Sequence, residues 1–108
     1  MKIVIDKEKI IEYLLKPRQR NDKSKFLNKL GFYEENWQFL KEAILKLYSQ
    51  NDTESTEANQ YGITYKVCGF LEGLNGSQLD IITIWINNYS SNELRFVTLF
   101  PKKNKNEI

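Results

Sequence analysis

Two stretches of alternating side chains flank the dipeptide Asn75-Gly76, and this arrangement constrains the fold more than any other feature of the chain. Before it, Ile63, Tyr65 and Val67 recur at every second position and lead to Phe70; after it, Leu79 to Asn87 is rich in β-branched residues. A period of two is the spacing of a strand with one face buried. Asn-Gly between two such runs favours the positive φ values of a two-residue hairpin turn. With Asn75 and Gly76 as the central turn residues, Cys68 is expected opposite Thr83, Phe70 opposite Ile81 and Lys66 opposite Trp85. A turn over Asn88 to Asn92 then leads to a third strand, Leu94 to Phe100, which stops at Pro101. The second half thus predicts a three-stranded antiparallel meander.

The first half follows a different period. Asp6 is placed to cap a helix from Lys7 to Leu15, whose Ile10, Ile11, Leu14 and Leu15 form one apolar stripe before Pro17. Lys16 to Asn21 reads as a loop carrying Arg18, Gln19 and Arg20. Asp22 is placed to cap a second, short helix with Phe26, Leu27 and Leu30 on its buried side and Gly31 just past its end. Asn36 is placed to cap a third, in which Trp37, Leu40, Ile44 and Leu47 recur every three or four residues, and Phe39, Ala43 and Tyr48 widen the stripe. Gln50 to Gln60 has no apolar anchor and reads as an exposed loop. The expected architecture is one α+β domain over residues 1–101, three N-terminal helices packed on a C-terminal antiparallel three-stranded meander. A flexible basic tail is expected over residues 102–108.

Residue counts exclude several chemistries. The chain has no histidine, so mechanisms that use imidazole as base or metal ligand are closed to it, and its single cysteine, Cys68, cannot form an internal disulfide. Cys68 is expected to be an inert core residue. Glu34 and Glu35 are adjacent and need not converge, and the acids between Gln50 and Gln60 lack the spacing of a metal loop. Neither a glycine-rich phosphate loop nor a dinucleotide fingerprint occurs. No metal and no cofactor are expected. Apolar runs fall well short of the roughly 20 residues of a membrane span, and Met1 to Asp6 meets charge at once, unlike a signal peptide. A cytoplasmic protein without membrane contact is expected.

Charge is nearly balanced at +2 but unevenly spread: Lys16, Arg18, Arg20, Lys23, Lys25 and Lys29 face only Asp22 in the same stretch. Such a patch attracts phosphates. Arg18, Arg20 and Lys23 are close enough in sequence to converge on one phosphate through charge-assisted hydrogen bonds, with Lys25 beside them. Trp85, if its ring is exposed, is a platform on which a base could stack.

Several segments resemble an uncharacterised bacterial family, domain-of-unknown-function family 6883. They are Tyr13-Leu14-Leu15, Lys16-Pro17, Lys23 to Phe32, Trp37-Gln38-Phe39-Leu40, Gly62-Ile63-Thr64-Tyr65-Lys66-Val67-Cys68-Gly69-Phe70-Leu71, Ile82-Thr83-Ile84-Trp85 and Arg95-Phe96-Val97-Thr98-Leu99-Phe100-Pro101. The outline of helices before a meander is similar to that of the nuclease superfamily containing barnase, EndoU and RelE-type toxins. By that fold-level analogy the resemblance implies a small toxin-like protein that binds or cleaves RNA without a metal, in a toxin–antitoxin or defence setting. Lys23, Arg95 and Thr98 match family positions and are the implied catalytic residues: Lys and Arg would stabilise a phosphorane-like transition state, with Thr98 or Tyr65 as hydrogen-bonding partner. Arg18, Arg20, Lys25 and Trp85 are the implied RNA contacts. The chain departs from the family where a frequent His falls near Gln19 and a strand Arg is Ile82. Those departures keep open a catalytically inert protein-interaction module, partnered by a cognate antitoxin, a phage-defence complex or an inhibitor target.

Overall fold

A five-stranded mixed sheet organises the chain. The computed structural model describes residues 1–20 and 22–102. In chain order these form β1 (Lys2–Val4), a π-helix (Lys9–Leu15), α1 (Ser24–Lys29), a 3-10 turn (Glu34–Asn36), α2 (Trp37–Gln50), β2 (Thr53–Ala58), β3 (Gly62–Glu72), β4 (Gln78–Asn88) and β5 (Glu93–Pro101). The sheet order is β1-β5-β4-β3-β2; β1 runs parallel to β5 and the other neighbours are antiparallel. This corrects the expected three helices on a three-stranded antiparallel meander. Two strands lie where the sequence predicts none, and α2, with 14 residues, is the one long helix among the described residues.

The two unforeseen strands escape notice for different reasons. β2 reads Thr-Glu-Ser-Thr-Glu-Ala and is exposed at every position, so it has no buried face to leave a hydrophobic period. Its pairing with β3 is carried by the backbone, and its polar, acidic side chains suit an outer edge that must not template aggregation. β1 is only three residues long, but Ile3-Val4-Ile5 is a β-branched run that could have marked it.

The helical segment after β1 runs from Lys7 to Leu15 as expected, but from Lys9 it is wound as a π-helix, and the Asp6 side chain does not cap it. The Asp6 carboxylate instead accepts a 2.6 Å bond from Arg95 Nη1, because the parallel pairing of Val4 with Arg95 brings the two together. Lys16 closes the segment in extended geometry (φ −81°, ψ 127°), as a residue before proline requires. Asn36 caps the 3-10 turn rather than α2: its Oδ1 accepts the Tyr33 N–H at 2.7 Å and its Nδ2 donates to Gly31 O at 3.0 Å.

The β3–β4 hairpin is one residue out of the expected register. Val67, not Cys68, lies opposite Thr83; Ile81 faces Gly69 and Lys66 faces Ile84. The connection is a five-residue loop, Gly73 to Ser77, because its polar groups are used elsewhere than in a tight turn. Leu74 N–H donates to Leu30 O at 2.7 Å and Asn75 Nδ2 to Lys29 O at 2.5 Å, satisfying carbonyls left open at the end of α1. A one-residue slip exchanges the two faces of a strand. In this register Val67, Leu71, Ile81, Thr83 and Trp85 face inward together.

These side chains and Phe96 and Leu99 of β5 are buried against Leu40, Ile44 and Leu47 of α2 and Ile10, Leu14 and Leu15 of the π-helix. Trp85 is fully buried. Its ring lies 5.4 Å from Phe96 in edge contact and 5.1 Å from Tyr48. Its Nε1–H donates at 2.8 Å to Thr83 Oγ1, which donates at 2.8 Å to Val67 O, so every polar atom of this inner chain has a partner. The opposite sheet face is the more exposed one among the described residues: Thr64, Lys66, Cys68, Ile82, Ile84 and Ile86 are partly exposed, and Phe70 and Phe100 are exposed. Cys68 therefore sits on the open face and not in the core. Phe39, expected to widen the buried stripe of α2, is half exposed.

Lys102 N–H donates to Asp80 O at 2.8 Å. Asn21 of the expected loop and residues 103–108 of the expected tail lie outside the described residues.

Gly62 opens β3 directly against β4, where a Cβ would overlap the carbonyl oxygen of Asn87. Gly62→Ala is expected to lower stability by about 1–3 kcal/mol, the usual cost of overpacking against backbone. The midpoint of chemical denaturation checks this; an unchanged midpoint would mean the strand pair yields freely.

Candidate functional site

The N-terminal segment, the loop after Pro17, the start of α1 and the outer side of β5 meet around Tyr13. Three devices bring them together. The first is the π-helix, whose wider winding is rare and recurs at functional sites; it presents Tyr13 toward β5, and Lys9, four residues earlier, places its Nζ 5.0 Å from the centre of the Tyr13 ring. The second is a bulge in β5. Thr98 pairs with Ile84 and Phe96 with Trp85, so Val97 is the extra residue. Phe96 and Leu99 both reach the core in spite of their three-residue spacing, and Thr98 is turned outward. Its Oγ1 lies 3.2 Å from the Tyr13 hydroxyl in a hydrogen bond.

The third device is the entry to α1. Asp22 Oδ1 accepts both the Ser24 N–H at 3.0 Å and the Ser24 hydroxyl at 2.6 Å. These bonds, helped by the charge of Lys25, hold the Asp22 carboxyl below the ordinary aspartate value. They also fix Lys23 at the helix start, with its Nζ 6.0 Å from the Tyr13 ring and 5.9 Å from the Phe100 ring. Arg18 completes the group, its guanidinium carbon 5.3 Å from the Tyr13 ring.

Three cations thus gather on one tyrosine beside two hydroxyls. Among the described residues none of Lys9, Arg18 and Lys23 makes an ion pair. Their mutual repulsion is partly offset by the negative ring face and would be relieved by a bound anion. Such a group of cationic donors suits an anion with charge on several oxygens, of which a phosphoryl group is one.

The sequence-predicted residues divide sharply. Lys23, Thr98 and Arg18 come together at this site. Arg95 lies on the same strand, but its guanidinium is held by Asp6 at 2.6 Å and Glu93 at 3.0 Å, a pairing that raises its already high pKa. Arg20 and Lys25 are exposed. Trp85 is buried on the far side of the sheet and has no ring face for a base. Tyr65 pairs with Trp85 and packs on the core, and the hydroxyl that meets Thr98 is that of Tyr13. Tyr13 and Lys9 were not singled out in the sequence; Tyr13 reads there as one more residue of a helix, and only the fold places it beside Thr98.

The depressed pKa of Asp22 implies a pH dependence. A carboxyl whose folded pKa lies below its unfolded value contributes stability that is present above the unfolded value and is lost as pH falls through the folded one. The Ser24 amide is therefore expected to lose protection from hydrogen exchange under acid conditions in the wild type, and Asp22→Asn, which cannot titrate, is expected to flatten that dependence. Equal acid sensitivity in both proteins would rule out this assignment.

Comparison with known proteins supplies the context. A family model described as "Domain of unknown function (DUF6883)" matches residues 1–103. No curated protein matches the chain. The fold is similar to a chain of the contact-dependent growth inhibition toxin - immunity protein complex from Klebsiella pneumoniae 342, with a TM-score of 0.72, 19% identity and coverage of 94% of each chain. Among the described residues no helix is long and apolar enough to cross a membrane.

Proposed function

The chain belongs to the DUF6883 family, and on that premise we propose that it is a toxin-like domain that binds RNA through phosphate and cleaves it without a metal, in the cytoplasm and alongside a cognate protein partner. The observation that carries this reading is the unpaired cluster of Lys9, Arg18 and Lys23 around the Tyr13–Thr98 hydroxyl pair. Likeness in fold to a chain from a toxin and immunity protein complex supports the setting.

In RNA the 2′-hydroxyl can attack the adjacent phosphorus while the bond to the 5′-oxygen breaks, leaving a 2′,3′-cyclic phosphate and a 5′-hydroxyl; the 2′-hydroxyl loses a proton, the departing 5′-oxygen gains one, and charge grows on the non-bridging oxygens in between. Lys9, Arg18 and Lys23 stabilise that charge, and a site that holds them in place before reaction spends no reorganisation on it. Of the Tyr13–Thr98 hydroxyl pair, one O–H bonds the other oxygen and the second is left to donate to the same group, a proton route that needs no imidazole. Arg95 acts as a positioning residue: by holding Asp6 it fixes the path of the π-helix. Arg20 and Lys25 extend the cationic surface to neighbouring phosphates.

A second reading, a catalytically inert interaction module, is favoured by one observation. β2 is the last strand of the sheet and is exposed along its whole length, so its outer edge is open to a partner strand.

Expression in growing bacteria separates the two. Wild type is expected to arrest growth with visible RNA cleavage, and Lys23→Ala is expected to reduce the cleavage rate about 100-fold, the usual loss for one preorganised charge donor. Intact RNA and normal growth with folded wild type would overturn the nuclease reading in favour of the interaction module.

A further inference from the structure

The more exposed sheet face begins where the cation cluster ends. Phe100, 36% exposed, projects on the outer side of β5 directly beside Lys23, whose ammonium lies 5.9 Å from its ring. Phe100 pairs with Ile82 and Ile82 with Cys68, while Thr98 pairs with Ile84 and Ile84 with Lys66. Two rows therefore cross the sheet from the cluster, one of Phe100, Ile82 and Cys68, the other of Thr98, Ile84 and Lys66.

The charge pattern selects the occupant. An apolar ligand alone leaves three unpaired cations unused, and a simple anion leaves the adjoining aromatic and isoleucine surface bare. A nucleic acid strand alternates phosphates with planar apolar bases, and the short span from the Lys23 ammonium to the Phe100 ring is one that a single nucleotide bridges. In a duplex the bases are stacked and hidden, and only unpaired nucleotides can lay a base on a sheet-borne aromatic ring.

We propose that Phe100 is a base-stacking subsite, with Ile82 and Ile84 continuing its platform, so that the substrate of this site is single-stranded RNA held by its unpaired bases as well as its phosphates. This rests on the phosphate-binding reading above and adds to it a contact that phosphate alone does not use. Trp85, the aromatic residue that the sequence suggests for stacking, lies on the other face, and Phe100 occupies the position next to the charge.

Fluorescence anisotropy of three probes tests the proposal: a short single-stranded oligodeoxynucleotide, which lacks the 2′-hydroxyl and is not cleaved, an abasic strand of equal length, and a blunt duplex. Wild type is expected to bind the base-bearing single strand more tightly than either of the others. Phe100→Leu, which keeps an apolar side chain at an exposed position, is expected to weaken the base-bearing strand about tenfold, within the range for one lost base–aromatic stack, and to leave the abasic strand unchanged. Phe100→Trp is expected to retain or improve binding. Equal affinity of Phe100→Leu and wild type for the base-bearing strand, or equal losses on both single strands, would overturn the subsite while leaving phosphate binding in place. If wild type binds no probe, or Lys23→Ala weakens none, the phosphate reading itself fails and the subsite with it.

Discussion

β1 lies parallel along β5, and Arg95 locks that pairing by holding Asp6, 89 positions away in sequence, at 2.6 Å. From this junction the chain leaves the sheet and winds as the π-helix beside the part of β5 that β1 does not cover. The Tyr13–Thr98 hydrogen bond, across 85 positions, is made on the same path. The pair is half exposed, and an exposed ion pair contributes modestly to stability. Its consequence is geometric: with residues 1–15 placed elsewhere, Lys9 and Tyr13 would not stand next to Thr98 and there would be no cluster.

The inner face makes that placement rigid. Trp85 fills the centre of the layer between sheet and α2, and its indole N–H is satisfied by Thr83, which in turn reaches the Val67 carbonyl. A Trp buried without such a partner would carry the cost of an unmet donor. The bulge at Val97 follows from the same packing. Phe96 and Leu99 must both face the core, so the strand accommodates one extra residue, and Thr98 is released to the outside. Core packing thus sets the direction of a residue in the candidate site.

Two sets of cations in this protein differ in their neighbours. Arg95 and, on the exposed flank, Lys16, Lys46 and Lys66 are matched to carboxylates. Lys9, Arg18 and Lys23 instead share one tyrosine ring. The first group ties elements together, and its charge is answered within the chain. The second meets no carboxylate among the described residues, and it stands at the border of the open sheet face. The open edge of β2 lies at the other end of the sheet, away from this border.

Periodicity by itself determined the α2 stripe, the three long strands and the basic stretch from Lys16 to Lys29, because each depends on contacts within a few residues or on bulk composition. The spread of charge brought Arg18 and Lys23 forward together, and the family resemblance implied Lys23 and Thr98. Tertiary structure decided the rest. β2 has no buried face, so nothing in its side chains could announce a strand. The hairpin register turned on Asn75 and Leu74 bonding to the end of α1 rather than closing a two-residue turn, a choice that a local turn rule cannot see. Tyr13, Lys9 and Phe100 became parts of one surface only when a parallel strand pair brought the N-terminus across to β5. Local sequence controls how a segment is wound; which segments become neighbours is set by the shared burial of distant apolar faces, and the cluster is a property of those neighbours.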